Sequence, residues 1–127
     1  MATSTSSQVT PGEMTAEQVA ALAAASLGAA VEATPMGAPA FPVWANATAR
    51  PHEGDIGSTL LAQLTSPVRF AESLTAMAAS GIDAFVHVGP GDVTAGLARR
   101  SVEGTEAIAV SSLEDIGAAA DRFGVGA

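Results

Sequence analysis

Helix-type and strand-type patterns of hydrophobic residues alternate along the chain. Residues 15–18 have the form of a helix-capping box, with Thr15 before the first turn and Gln18 three residues later. The Ala-rich stretch that follows predicts a helix to about Glu32. Four further helices are predicted, over 55–64, over 70–80 with Gly81 as its stop, over 92–100, and from 112 to about 123.

Short apolar runs between these helices predict three strands: a buried one within 41–46 that starts after Pro42, and two more over 84–88 and 107–110. The run over 84–88 is almost continuously apolar, which is typical of a strand covered on both faces. Because strands and helices alternate, parallel pairing with right-handed crossovers is expected. The predicted fold class is therefore α/β, a partial three-layer α/β/α sandwich with a short, mostly parallel sheet.

The 127 residues suit one small domain preceded by a polar tail. Residues 1–14 are mostly small or polar and predict a disordered N-terminal tail, whereas 15–127 predict the α/β segment. A second possible helix start lies at Thr10 and Pro11. The first eight residues lack the basic and apolar regions of a signal peptide, and no apolar run approaches the ~20 residues of a membrane span.

Composition narrows the classes of partner. Five basic residues, all Arg, stand against 13 acidic ones and give a formal net charge of −8. Such a chain is a poor ligand for nucleic acid or for an anionic membrane surface, since both require clustered cations. The absence of Cys excludes disulfides, Cys-ligated zinc and thiol catalysis. We expect a cytoplasmic protein.

Three motifs, in this order, carry a resemblance to a known family. The first is a strand-like segment ending at Asn46, and the second is a Gln-Leu-x-x-Pro-Val-Arg-aromatic segment that begins at Gln63. The third combines residues 85–91 with Arg99 and Arg100. Together they resemble the C-terminal third of malonyl-CoA:acyl carrier protein transacylase, the acyltransferase of fatty-acid and polyketide synthesis. The resemblance covers roughly residues 15–127 and implies an acyltransferase fold.

The resemblance also implies catalytic residues that this sequence does not contain. The family carries a nucleophilic Ser in a Gly-His-Ser-x-Gly elbow, and no Gly-x-Ser-x-Gly occurs in the 127 residues. Ser26 lacks the Gly two residues before it and follows no strand, so it is predicted to be an ordinary helix residue. The family's catalytic His corresponds to a position near Thr15 or Ala16, and neither residue can act as a base. The chain alone is therefore predicted to be inactive.

Gln63 is the one candidate catalytic position that the resemblance supplies. In the family, the backbone carbonyl of this Gln is thought to hold the catalytic His in orientation, as the third member of a triad does. Here the His would come from another chain. The alternative is a polar residue near a helix end. No cofactor-binding or metal-binding residues are expected, and malonyl-CoA is implied only as a substrate.

The other polar candidates favour structural roles. The turn over 89–91 precedes a helix N-terminus, but Asp92 would repel a phosphate there. His87 is expected to be buried and hydrogen-bonded, and His52 to be solvated, with a weak metal site as its alternative. Arg99 and Arg100 suit a solvated helix C-terminus, with contact to an acyl carrier protein as the alternative.

Three functions remain open from the sequence. The chain can be a segment that completes a split malonyltransferase, acting on malonyl-CoA and acyl carrier protein with a complementary acyltransferase chain. It can instead be a non-catalytic interaction or structural module, or a remnant of the family with no role of its own. In each case an incomplete sheet leaves an edge unpaired, so self-association is a further expectation.

Overall fold

The computed structural model describes residues 11–124, and these fall into two compact units. Unit 1 contains the residues up to 47 together with 51–68, and unit 2 contains 48–50 and the residues from 69 onwards. The predicted tail over 1–14 lies mostly outside the described residues, as does the helix start proposed at Thr10, and both stay predictions. Within the described part, Pro11–Glu13 form a single 3₁₀ turn.

The first helix of unit 1, α1 (Ala16–Glu32), begins at the predicted capping box. The Thr15 hydroxyl accepts a hydrogen bond from the Gln18 N–H at 3.2 Å, and the Gln18 side chain accepts one from the Thr15 N–H at 2.9 Å. These bonds satisfy N–H groups that a helix start leaves unpaired. No helix between residues 11 and 124 is long and apolar enough to cross a membrane.

The segment predicted as a strand over 41–46 is extended only at its end. Strand β1 (Trp44–Ala45) forms a two-stranded sheet with β2 (Arg50–Pro51). Of the strand predicted to start after Pro42, only Trp44 and Ala45 are extended. Its burial is confirmed at Ala45 and is wrong at Val43, which is 41% exposed. Pro42 has no N–H to donate to a ladder, and the chain reverses soon after β1 through Ala49, whose φ is 53°.

The second helix, α2 (Ile56–Ala62), packs closely against α1 within unit 1. Asp55 caps its start, since the carboxylate accepts a hydrogen bond from the Ser58 N–H at 3.2 Å. A Cβ at Gly57 would lie 2.5 Å from Cγ1 of Val31, so only glycine fits at this contact. Three residues earlier on α1, Gly28 faces Leu61, which makes the two helices antiparallel.

Unit 2 contains the predicted parallel sheet. Its elements, in chain order, are α3 (Phe70–Ala79), β3 (Ala84–Val88), α4 (Val93–Ser101), β4 (Glu106–Val110) and α5 (Leu113–Phe123). β3 and β4 pair in parallel with Phe85 opposite Ala107, and α4 forms the crossover between them. The sheet has two strands within residues 11–124, one fewer than predicted, because the 41–46 segment pairs with β2 instead.

Helices lie on both faces of this sheet, as predicted for a three-layer arrangement, although on the second face α5 packs mainly against β4. On one face, Leu74 of α3 and Ala98 of α4 are buried in a cluster with Ala107, and Phe85 packs against it. The neighbouring Glu106 points to the other face because side chains alternate along a strand. There Glu106 pairs with Arg122 of α5, with Nη2 and Oε2 at 2.5 Å.

The last helix, α5, begins at a second capping box. The Ser112 hydroxyl accepts a hydrogen bond from the Asp115 N–H at 3.3 Å, and the Asp115 carboxylate accepts one from the Ser112 N–H at 3.0 Å. The Ser111 N–H also donates to this carboxylate, and these bonds hold the pKa of Asp115 below its usual value. Gly124, with a φ of 67°, ends the helix near the predicted position.

One face of β3 is open, contrary to the pattern that predicted cover on both sides. Val86 is 43% exposed and Val88 is 77% exposed, and both side chains point away from the cluster around Phe85. The apolar run was correct evidence for a strand. The layer that would cover both valines is not supplied by residues 11–124.

The Gly57 contact generates a stability prediction. Gly57→Ala should lower the free energy of unfolding by about 2 kcal/mol, because Val31 is β-branched and has little rotamer freedom to yield. Gly28→Ala is the matched control: its Cβ would lie 3.8 Å from Leu61, an ordinary contact, so alanine should stabilise α1 by about 0.5–1 kcal/mol. Urea denaturation measures both. If Gly57→Ala no longer lowers the free energy of unfolding in a chain that also carries Val31→Ala, the effect comes from the contact with Val31. An equal loss in both backgrounds would contradict this.

Candidate functional site

Gln63 lies directly after the last residue of α2. It is the C-cap of that helix, and its N–H donates to the Thr59 carbonyl at 3.1 Å. The residue is half-buried. α2 is thus two residues shorter than predicted at this end, and Gln63 occupies the turn that follows it.

The Gln63 carbonyl is free to accept a hydrogen bond. A carbonyl at a helix end is normally satisfied by an N–H three or four residues later, and four residues after Gln63 stands Pro67, which has no N–H. The preceding carbonyl, of Ala62, accepts both the Thr65 N–H at 3.3 Å and the Ser66 hydroxyl at 2.6 Å. Among residues 11–124, no group donates to the carbonyl of Gln63.

The side chain of Gln63 joins two of the three sequence motifs. Its Oε1 accepts a hydrogen bond from the backbone N–H of Asn46 at 3.2 Å, in a partly buried position. The Asn-ending segment and the Gln-Leu-x-x-Pro-Val-Arg segment therefore meet in unit 1. Sequence reasoning considered only the backbone of Gln63 and missed this side-chain contact. No local spacing signals it, because the two residues are 17 positions apart.

Thr15 and Ala16 lie far from Gln63. The antiparallel packing sets Gln63 beside the middle of α1, where Gly28 contacts Leu61. Thr15 precedes Gly28 by 13 residues, which is about 20 Å along a helix at 1.5 Å per residue. Its hydroxyl is also engaged in the capping box. This end of α1 therefore brings no base to Gln63.

Ser26 is exposed on the third turn of α1. Its position within a regular helix is the one predicted for it. The strained strand-to-helix turn that exposes a nucleophilic hydroxyl is absent at Ser26, because α1 continues for ten residues before it.

The two histidines occupy different environments. His87 is half-buried, and its Nδ1 is hydrogen-bonded to the Thr94 hydroxyl, as expected for a structural His. His52 is half-buried rather than solvated, so that prediction is wrong. Its backbone N–H donates to the Val43 carbonyl at 2.7 Å, and Nδ1 of its ring is buried. No group of three metal-ligating side chains occurs among the described residues.

The turn over 89–91 and the end of α4 have structural roles. Gly89 and Gly91 have φ values of 137° and 82°, and the Ser111 hydroxyl donates to the Gly91 carbonyl at 3.0 Å. Arg99 is not merely solvated, because Nε and Nη2 of its guanidinium donate to the Ala107 carbonyl at 3.1 and 2.8 Å. Arg100 is exposed.

Comparison of the chain with known proteins shows which class of enzyme it is similar to. No protein-family model matches the chain. The malonyl CoA-acyl carrier protein transacylase of Bacillus subtilis is 42% identical over 64 residues, which cover 50% of this chain and 20% of that protein. The polyketide biosynthesis protein ThaF of Burkholderia thailandensis is 38% identical over 66 residues, covering 51% of this chain and 6% of that protein.

A solved structure extends the similarity to the fold. The acyl-carrier-protein-S-malonyltransferase of Bartonella henselae superposes with a TM-score of 0.74 and 34% identity, over 80% of this chain and 33% of its own. The resemblance to malonyl-CoA:acyl carrier protein transacylases, and the partial acyltransferase fold that it implies, are therefore confirmed. The chain spans a fifth to a third of the length of these two transacylases.

The absence of a nucleophile and a base generates a prediction for the chain alone. Incubation with radiolabelled malonyl-CoA should leave the protein unlabelled, because no side chain of the site is an activated nucleophile. Mass spectrometry of the intact protein measures this directly. A stable adduct abolished by Ser26→Ala would restore the helix serine as nucleophile, and an adduct that survives Ser26→Ala would show a nucleophile elsewhere.

Proposed function

We propose that this chain is the C-terminal segment of a malonyl-CoA:acyl carrier protein S-malonyltransferase and becomes catalytic when a complementary polypeptide supplies the Ser and the His. The similarity to part of two transacylases supports the class of reaction. The missing Gly-x-Ser-x-Gly motif is the reason for assigning the nucleophile to another polypeptide.

The observation that carries the proposal is the free carbonyl of Gln63. A His that acts as a base needs one ring nitrogen held by an acceptor, so that the other nitrogen faces the nucleophile in the correct tautomer. Pro67 has no N–H to offer the Gln63 carbonyl, and no other described group donates to it. The hydrogen bond that the Gln63 side chain accepts from the Asn46 N–H anchors the residue. A satisfied or mobile carbonyl would not suit this role.

The reaction divides between the two polypeptides. The partner's His removes the proton from the partner's Ser, whose oxygen attacks the thioester carbonyl of malonyl-CoA and releases CoA as its thiol. The phosphopantetheine thiol of the carrier then attacks the malonyl-Ser ester and regenerates the Ser. Throughout, the Gln63 carbonyl accepts a hydrogen bond from Nδ1–H of the His and stabilises the imidazolium that forms.

The acidic surface limits what this segment does in the complex. Acyl carrier proteins are acidic, and a chain of net charge −8 repels them. The guanidinium of Arg99 is already bound to the Ala107 carbonyl. We therefore assign carrier binding to the complementary polypeptide and positioning of the His to this one.

A second function, a non-catalytic interaction module, is favoured by one observation. Val88 is 77% exposed on a sheet face, next to Val86 at 43%. Such apolar surface is typical of protein contacts and does not itself require chemistry. The two functions differ in whether any complementary polypeptide restores malonyl transfer.

Pro67 provides the sharpest test of the role of Gln63. The complementary polypeptide is the Bacillus subtilis transacylase without the segment that matches this chain, and the assay measures malonyl transfer by the mixture. Pro67→Ala introduces an N–H that can bond the Gln63 carbonyl and compete with the His, so we expect kcat to fall about tenfold, the effect of about 1.4 kcal/mol. Pro90→Ala, an exposed turn position in unit 2, is the control and should leave kcat unchanged.

The Pro67 experiment has two contradicting outcomes. Equal rates for Pro67→Ala and the unsubstituted chain would remove the Gln63 carbonyl from the mechanism. A mixture that forms a complex but transfers no malonyl group would favour the interaction module.

Side-chain and backbone changes at Gln63 should differ in the same assay. Gln63→Ala removes the acceptor of the partly buried Asn46 N–H and should destabilise unit 1 by about 1–3 kcal/mol, with only a modest loss of kcat in the folded protein. Gln63→Glu keeps an acceptor and is the control for stability. Deletion of Leu64 moves the turn and should cost far more activity, since catalytic groups tolerate about 0.5 Å of displacement. An unchanged rate after the deletion would contradict the proposal.

A further inference from the structure

The backbone groups of β3 face two different edges. The Glu106 N–H donates to the Asp83 carbonyl at 3.0 Å, and the Gly89 N–H donates to the Val110 carbonyl at 3.0 Å. In a parallel ladder with this register, the N–H and C=O of Phe85 and His87 point towards β4. The backbone groups of the residue between them, Val86, therefore point to the opposite edge. No strand within residues 11–124 pairs there.

The two outer edges of the sheet are treated differently. At the outer edge of β4, the Ala107 carbonyl is covered by the Arg99 guanidinium. A cationic side chain at an edge blocks pairing with a further strand. The outer edge of β3 has no comparable cover from the described residues, and the valines beside it are exposed. The chain closes one edge and leaves the other available.

An apolar cavity of about 300 Å³ lies along the open edge of β3. Phe70 and Met77 of α3 line it on the side of the buried cluster, together with His87. Val86 and Val88 also line it, although their side chains point to the other face of the sheet. The cavity therefore borders β3 beside its free edge and offers apolar contacts to a side chain of an added strand.

We propose that the free edge of β3 is the docking site for one apolar β-strand of the complementary acyltransferase polypeptide. The added strand pairs its backbone with Val86 and Val88 and places a side chain in the cavity beside Phe70 and Met77. Recognition by strand addition works in this way: backbone hydrogen bonds give affinity, and cavities for alternate side chains give specificity. The identity of the partner rests on the function proposed above, whereas the open edge does not.

Two observations favour this partner over a second copy of the chain. A second copy carries the same net charge of −8, and the resulting overall repulsion opposes association. The Bartonella henselae enzyme shares its fold with 80% of this chain but matches it over only 33% of its own length. The other two thirds of that enzyme lie outside the match, and we assign the added strand to the corresponding part of the complementary polypeptide.

Amide hydrogen exchange on the chain alone tests whether the edge is open. The Val86 and Val88 amides should exchange rapidly, while those of Phe85 and His87 are protected by pairing with β4. Sedimentation of the same sample should show a monomer, in place of the self-association expected from the open sheet edge alone, because two chains of net charge −8 repel each other. Protection of Val86 in a monomer would mean that the chain fills its own edge, and protection in a dimer would make a second copy the occupant. Either result overturns the proposal.

Titration with the shortened Bacillus subtilis transacylase, the partner used above, tests the docking itself. Val86→Pro removes the Val86 N–H, which points to the free edge and makes no hydrogen bond to β4. The change should weaken binding about tenfold, the effect of one lost backbone hydrogen bond. Leu113→Pro is the matched control, because Leu113 is an exposed apolar residue at the first position of α5, where proline is tolerated. Val88→Lys, at a 77% exposed position, should keep the fold and also weaken binding.

The outcomes separate docking from catalysis. Binding that depends on Val86 and Val88, with no malonyl transfer, supports the docking site and refutes the proposed function. Binding that is unchanged in Val86→Pro and Val88→Lys refutes the docking site, whatever the rate of transfer. Absence of binding, with the partner shown to be folded by circular dichroism, refutes the docking site as well.

Discussion

The parallel pairing of β3 with β4 is the constraint on which unit 2 depends. It makes α4 the crossover, sets Ala107 opposite Phe85 in the buried cluster, and turns the Ala107 carbonyl towards the Arg99 guanidinium. The same register turns the backbone of Val86 to the other side, where no described strand lies. A parallel strand normally lies in a sheet with both faces covered, so a two-stranded piece with exposed valines is physically incomplete.

The feature of unit 1 on which the proposed function depends is the Gln63 carbonyl, to which no described group donates. Pro67 offers the Gln63 carbonyl no N–H, while the Gln63 side chain anchors the turn to Asn46. This acceptor lies on an anchored turn and is available to a donor from outside the described residues. A histidine supplied by a complementary polypeptide would use it, and similarity to part of the transacylases makes that polypeptide the natural source.

Local signals in the sequence predicted most of the fold. The capping box at Thr15 and the glycine stop at Gly81 predicted helix ends to within about two residues, because these signals act over one turn. The long-range features were not predictable in this way. Three contacts depend on how distant parts of the chain meet, which hydrophobic periodicity and secondary-structure propensity do not report. They are the hydrogen bond between Gln63 and Asn46, the contact of Arg99 with the Ala107 carbonyl, and the pairing of the 41–46 segment with β2.

We propose that malonyl transfer occurs on a complementary polypeptide, and only when this chain completes that polypeptide's fold. The most direct measurement is the location of radiolabel after brief incubation of malonyl-CoA with the shortened Bacillus subtilis transacylase, with and without this chain. The label should appear on the shortened transacylase, and only when this chain is present. Label on this chain, or equal labelling of the transacylase in its absence, would contradict the claim.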